Sequence, residues 1–173
     1  MPSSFPLRII LTGFMGTGKT TIGVQLADRL GYLFCDTDRL VEEESGKTIA
    51  WLFKNEGEPA FRQREKEALR RALRHEKVVI SAGGGAVIDA GNRRLMKKAG
   101  LVISLTAPPE VILARVGQGS ERPLLQGGEM GEAIKNLLRQ RAPFYGKADL
   151  VIDTSQNSVA ETVQELLCQL AGR

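Results

Sequence analysis

Residues 13–20 read Gly-Phe-Met-Gly-Thr-Gly-Lys-Thr, a complete G-x-x-x-x-G-K-[ST] loop, and they set the terms for everything else the chain can build. Both flanks are those such a loop requires. Upstream, Leu7-Arg8-Ile9-Ile10-Leu11-Thr12 is a short apolar run suited to a buried parallel strand. Downstream, Ile22, Leu26, Ala27 and Leu30 recur at helical spacing until Gly31 stops the pattern. Strand, glycine turn and helix in that order aim backbone N–H groups and a positive helix end at an anion. In this pattern Lys19 reaches β- and γ-phosphates, and Thr20 offers an oxygen to Mg²⁺. The motif implies an α/β architecture and a nucleoside triphosphate.

Short apolar runs alternate with helical segments along the whole chain. They predict strands at 8–12, 32–36, 78–82, 101–106 and 150–153. Helices are predicted at 19–30, 38–44, 49–55, 58–75, 92–98, 109–116, 130–144 and 159–170. This order gives a three-layer fold, a central five-stranded parallel sheet with helices on both faces. Ligands then gather at the carboxyl ends of the strands, where the glycine loop, Asp36 and Gly83-Gly84-Gly85 all fall. Two stretches exceed what crossovers need. Residues 38–75 hold several helices, and the glycine-rich 117–128 segment, which contains Arg122-Pro123, reads as a mobile lid.

Composition narrows the alternatives. At 173 residues, 42% of them hydrophobic and 25% charged, the chain suits one ordinary globular domain. The net charge of +4 comes without basic runs interleaved with aromatics, so no nucleic-acid partner is expected. No stretch approaches the ~20 apolar residues of a membrane helix. Cys35 and Cys168 are too isolated for a disulfide framework or a zinc site. The first residues have neither the basic start nor the apolar core of a signal peptide, and a cytoplasmic location is expected. A single histidine, His75, leaves nothing from which to assemble a Ser-His-Asp triad.

Several side chains admit two readings. Asp36-Thr37-Asp38 closes the second strand, and Asp38 there either caps the next helix or faces an acceptor hydroxyl. The third strand ends in glycines and offers no aspartate, so Asp36 is the nearest further oxygen ligand for Mg²⁺. Gly83-Gly84-Gly85 is either a tight turn or a place where backbone N–H groups meet a substrate. Gly46-Lys47-Thr48 mimics the end of a second loop, but Val41 stands where the first glycine belongs. Arg62, with Glu58 and Glu65 at helical spacing, makes a surface ion pair on the simplest reading, and Arg141 complements a helix end. Arg115 ends a helix just before the glycine-rich segment, and Arg122 lies inside it with no helix to stabilise. Arg122 is the strongest candidate for a charge delivered to phosphates by loop closure.

Taken in order, 13–20, 34–38, 45–49, Gly57-Glu58 with Phe61-Arg62 and Glu65, Gly83-Gly84-Gly85, Arg122-Pro123-Leu124-Leu125 and Arg141-Ala142-Pro143-Phe144-Tyr145 form a specific set. Nearly the whole chain resembles the shikimate kinase family. The resemblance implies phosphorylation of the 3-hydroxyl of shikimate with ATP and Mg²⁺, in aromatic amino-acid biosynthesis. It implies that Gly13, Gly16, Thr17, Gly18, Lys19, Thr20 and Thr21 hold the nucleotide, with Arg115 against adenine. Thr20 and Asp36 belong to the metal site, and Asp38 is the proposed base, binding the shikimate hydroxyls. Arg62 and Arg141 clamp the carboxylate, Gly83, Gly84 and Gly85 line the pocket, and Lys19 and Arg122 assist transfer. On this reading 38–75 is the substrate-binding insertion and 117–128 the lid of a monomer. A gluconate kinase of the same architecture is the nearest alternative. A GTPase switch would need an Asn-Lys-x-Asp sequence, which is absent.

Overall fold

A computed structural model describes residues 5–116 and 130–172. The predicted lid at 117–128, and Arg122 with it, lies outside the described residues. The chain runs β1 (Arg8–Gly13), α1 (Lys19–Leu30), β2 (Leu33–Asp36), α2 (Thr37–Ser45), α3 (Ile49–Asn55) and α4 (Gly57–Ala72). It continues through β3 (Val78–Ser81), a 3-10 turn (Ala86–Ile88), α5 (Ala90–Ala99), β4 (Leu101–Thr106) and α6 (Pro109–Val116). After the segment not described come α7 (Met130–Tyr145), β5 (Leu150–Asp153) and α8 (Val159–Ala171).

The sheet has the order β2-β3-β1-β4-β5 and every neighbouring pair is parallel. Its register sets Ile10 of β1 beside Ile80 of β3 and Val102 of β4. Alternation along β1 then divides the core. Ile9 and Leu11 meet Ile22 and Leu26 of α1 and Val163 and Leu166 of α8 on one face. Ile10 faces the other way, into a cluster with Leu69 of α4, Met96 of α5, Ile112 of α6 and Ile134 of α7. Because helices cover both faces, neither face of the strand can be polar, which is why the strands read as unbroken apolar runs. A third, smaller cluster of Val41, Leu52, Phe61 and Ala68 holds α2, α3 and α4 together between β2 and β3.

The helix ends follow local chemistry. Thr48, Asp89 and Ser158 cap α3, α5 and α8 through their side chains, Ser158 within a reciprocal capping box with Glu161. Helix α1 differs. Its N-cap is Gly18, left-handed at φ 97°, and no side chain caps it, so its first N–H groups point outward from the glycine loop.

Three boundaries depart from the predicted ones for identifiable reasons. Strand β2 starts at Leu33 because the Tyr32 N–H closes the end of α1 on the Ala27 carbonyl at 2.8 Å. Helix α4 stops at Ala72, not at 75. Arg8 Nε takes the Leu73 and His75 carbonyls at 3.0 and 2.9 Å and folds that turn back onto β1. Helix α2 starts at Thr37, because Asp36 rather than Asp38 caps it.

Candidate active site

The carboxyl ends of β1, β2 and β3 open into a cleft of about 630 Å³. Gly16, Gly18, Lys19, Thr20, Thr21, Asp36, Asp38, Arg62, Gly84, Gly85 and Arg141 all line it. On the glycine-loop side, Lys19 Nζ donates to the Gly13 and Phe14 carbonyls at 2.9 and 3.0 Å, folding the ammonium back across the loop. Thr17 Oγ1 braces the same turn by donating to Phe14 O at 2.7 Å.

Asp36 joins this loop to β2. Its Oδ2 accepts from Thr20 Oγ1 at 2.9 Å, and its Oδ1 accepts from the Asp38 and Arg39 N–H groups at 3.0 and 3.4 Å. The capping alternative weighed for Asp38 is therefore filled by its neighbour, and Asp38 occupies the first turn of α2 with its side chain toward the cleft. Between the two aspartates, buried Thr37 clamps two strand ends. Its Oγ1 donates to Ser81 O at 3.3 Å and accepts from Gly83 N at 3.0 Å.

The far wall carries the arginines. Arg62 Nη1 reaches both oxygens of Glu65 at 3.1 and 2.9 Å, while its Nε and Nη2 reach Glu58 Oε1 at 3.1 and 2.9 Å. The predicted helical pairs thus form, one at the surface and one not: the Glu58 side chain is 48% exposed and the Glu65 side chain only 2%. Burial pushes the Glu65 carboxyl up; Arg62 opposes this, Asp38 adds to it, and the net shift is upward. Burial pulls the Arg62 guanidinium down, but Glu65 and Glu58 outweigh it and leave it raised.

The glycine turn packs directly on these charges. A Cβ on Gly85 would overlap the Arg62 guanidinium, and one on Gly83 would strike Glu65 Oε1 and stand 2.8 Å from Asp38 Oδ1. The three glycine carbonyls are all engaged within the protein. Gly83 O accepts from Ala86 N at 2.9 Å, Gly84 O from Tyr145 Oη at 2.7 Å, and Gly85 O from Ile88 N at 3.0 Å.

Arg141 is 4% exposed and lies 5.7 Å from the centre of the Phe14 ring. Among the described residues no carboxylate forms an ion pair with it. A buried guanidinium at the end of a cleft is set to receive an anion. Burial pushes the Tyr145 hydroxyl up to about 12, against the opposing pull of Arg141.

Arg115 lies apart from this cleft, at a hollow of about 330 Å³ behind the glycine loop, which Thr17, Thr21, Thr154 and Asn157 also line. Its Nη1 donates to Gly16 O at 3.2 Å and Thr154 Oγ1 at 3.0 Å, and its Nη2 to Thr154 O at 2.6 Å. Thr154 in turn donates to Thr17 O at 2.9 Å. Thr37, Tyr145 and Thr154 did not stand out as site residues in the sequence. A threonine between two strand-end aspartates was the one available signal.

A five-stranded parallel sheet with this glycine loop after β1, a carboxylate closing β2, and an arginine-walled cleft defines a P-loop kinase of small molecules. The family model described as "Shikimate kinase" matches residues 15–171, and the chain belongs to the shikimate kinase family. A shikimate kinase of Geobacter metallireducens is 47% identical over 96% of this chain and 93% of its own length. The structure of the Acinetobacter baumannii shikimate kinase in complex with shikimate matches at a TM-score of 0.94 and 37% identity. That match covers 98% of this chain and 95% of the other. A gluconokinase from Sinorhizobium meliloti, at 20% identity and a TM-score of 0.61 over 97% and 93% of the two chains, shares the fold alone.

Two predictions follow from the clamps on the glycine turn. Thr37→Val leaves Gly83 N–H and Ser81 O without the hydroxyl, and urea unfolding should show a loss of about 1–3 kcal/mol. Thr37→Ser should restore most of it, and an unchanged midpoint in the valine variant would show that the clamp holds nothing. The second concerns alkaline pH. The folded-state pKa of Tyr145 lies above the unfolded value, so the folded state keeps its proton longer and stability falls as pH rises through that interval. Tyr145→Phe lacks this decline. Its stability deficit relative to wild type should shrink by roughly 1 kcal/mol between about pH 9 and about pH 11. A constant deficit would refute the upward shift.

Proposed function

We propose that the chain transfers the γ-phosphoryl group of ATP to the 3-hydroxyl of shikimate, releasing ADP. The observation that carries this reading is the pairing of a phosphate loop at one end of the cleft with the buried Arg141 and half-buried Arg62 at the other. The two guanidinium forks suit the shikimate carboxylate and orient the ring so that its 3-hydroxyl faces the phosphate side. Asp38, between the two ends, hydrogen-bonds the hydroxyls and accepts the proton as the phosphoryl group moves. Lys19 leaves the Gly13 and Phe14 carbonyls for the phosphates, beside the N–H groups of Gly16, Gly18, Thr20 and Thr21. Arg115 lies against adenine, and Arg122 adds positive charge from 117–128, which serves as the lid. Residues 38–75 serve as the substrate-binding insertion.

Mg²⁺ fits the pair formed by Thr20 Oγ1 and Asp36 Oδ2, hard oxygens 2.9 Å apart at the foot of the loop. When bound it neutralises charge on the β- and γ-phosphate oxygens. Transfer through a loose transition state asks the protein for position and charge more than covalent chemistry, which is what this set of side chains offers. We place the enzyme in the cytoplasm as a monomer acting on a small molecule, with no nucleic-acid or membrane partner. No described helix is long and apolar enough to cross a membrane.

A coupled ADP-release assay tests the reading with shikimate against gluconate and other hydroxylated acids. Turnover should be confined to shikimate, and preference for gluconate would overturn it. In the same assay Arg141→Ala should weaken shikimate roughly ten- to over a hundredfold and leave ATP binding near wild type, since a hydrogen bond to a charged group is worth about 1.5–3 kcal/mol. Arg62→Ala should do the same and also lower the melting temperature, because it strands the buried Glu65.

The two aspartates should fail differently. Asp36→Asn keeps the helix cap, since Asn caps as well as Asp, but weakens the metal site, so high Mg²⁺ should recover part of the lost rate. Asp38→Asn still hydrogen-bonds a hydroxyl but takes no proton. Turnover should fall toward the low end of the ~10²–10⁴-fold range for general bases, without rescue by Mg²⁺. Near wild-type kcat in Asp38→Asn would remove that residue from the mechanism.

A further inference from the structure

A second cleft, of about 480 Å³, lies between α5 and the end of α7, on neither side of the glycine loop. Its size falls within the roughly 300–1,000 Å³ common for small-molecule sites. The floor is apolar and reaches the sheet: Val102 of β4 lies at its base, with Val87, Met96 and the Phe144 ring around it. The rim is cationic, with Arg93, Arg94, Lys97 and Lys147. Only one of these makes an ion pair among the described residues, Lys97 with Asp149 at 3.6 Å. Arg93 and Lys147 stand 4.8 and 5.7 Å from the Phe144 ring centre, held by the ring face rather than by a carboxylate.

We propose that this cleft binds a small, flat carboxylic acid, its ring on the apolar floor and its carboxylate among Arg94 and Lys147 at the rim. Lys97 has Asp149 and Arg93 has two backbone carbonyls, but Arg94 and Lys147, in no ion pair among the described residues, call for an anion. The apolar floor calls for one that carries a hydrophobic body, since a compact dianion set there would lose water without gaining partners. A guanidinium also matches the planar fork of a carboxylate. The position has a consequence for the kinase cleft. Arg93 Nη1 donates to Val87 O and Ile88 O at 2.6 and 2.8 Å, holding the turn that continues from Gly85. Phe144 precedes Tyr145, which holds Gly84 from the other side. An occupant therefore touches Arg93, one support of the glycine turn, and Phe144, the chain neighbour of the other.

The test titrates 2-naphthoate into the full-length protein and follows its fluorescence anisotropy. Saturable binding is expected in wild type, weakened about tenfold or more in Arg94→Ala/Lys147→Ala. It should be abolished in Ala90→Trp, which fills the mouth from the exposed first residue of α5. Both variants replace exposed side chains, so their melting temperatures should match wild type. Arg141→Ala should bind 2-naphthoate normally, 2-naphthol should bind more weakly, and inorganic phosphate should not displace the naphthoate. The proposal is overturned by an absence of saturable binding in wild type. It is overturned equally by binding lost in Arg141→Ala but kept in Arg94→Ala/Lys147→Ala, which would put the probe in the kinase cleft. Displacement by inorganic phosphate would show a plain anion site instead.

Discussion

Asp36 gives one carboxylate oxygen to Thr20 at the start of α1 and the other to the first turn of α2, and so fastens the phosphate loop to the region that carries Asp38. The same side chain ends a strand, caps a helix and contacts the loop. Each task fixes the other two, because a cap demands extended backbone at Asp36 and the carboxylate has only two oxygens to place. Thr37 extends the connection one strand further, to Ser81 and Gly83. Three strand ends are thereby held at fixed spacing around a single cleft. Polar groups so constrained act without first having to be ordered.

The electrostatic layout of the cleft is graded rather than uniform. Lys19 and the uncapped start of α1 stand at one end with Asp36 beside them, Arg62 and Arg141 stand at the other with Glu65 against Arg62, and Asp38 also lines the cleft. Glu65 is the costly member, a carboxylate nearly out of solvent and close to Asp38. Replacing a buried pair such as Arg62–Glu65 by apolar residues often stabilises a protein, so stability alone does not account for it. What it provides is aim: with Glu65 and Glu58 engaging the guanidinium and Gly85 flat against it, Arg62 has one orientation.

The glycine loop and all five strands were legible in the sequence because their signals are local. Fixed spacing marks the loop, and burial on both faces removes polar residues from the strands. One displaced boundary was decided by a partner distant in the chain. Arg8, 65 residues before Leu73, ends α4 early, and no periodicity records that. The Arg62–Glu65 spacing is the same on a wet helix face as in a buried wall, so the pair was visible and its setting was not. Asp36 and Asp38 were both singled out, yet which one caps depends on where the backbone leaves β2. The roles suggested for the site residues came from a resemblance. The geometry adds which of them share a cleft, and sets Arg115 behind the loop with Thr154 as its anchor.

The glycine turn after β3 owes its polarity to main-chain direction and to the two side chains that hold it, Thr37 and Tyr145. The carbonyls of Gly83, Gly84 and Gly85 are each turned to a donor of the protein itself, from Ala86, Tyr145 and Ile88. The Gly83 N–H is taken by Thr37 Oγ1, which leaves Gly84 and Gly85 as the N–H groups the turn can offer. It is a one-way surface that reads lone pairs, so a hydroxyl oxygen or a carboxylate is welcome there and an ammonium is not. Discrimination of this kind depends on Tyr145 as well as on the turn's path, because the tyrosine hydroxyl occupies the Gly84 carbonyl. On the proposed function, preference for an acid over an amine of equal shape rests on main-chain direction and on the arginines together.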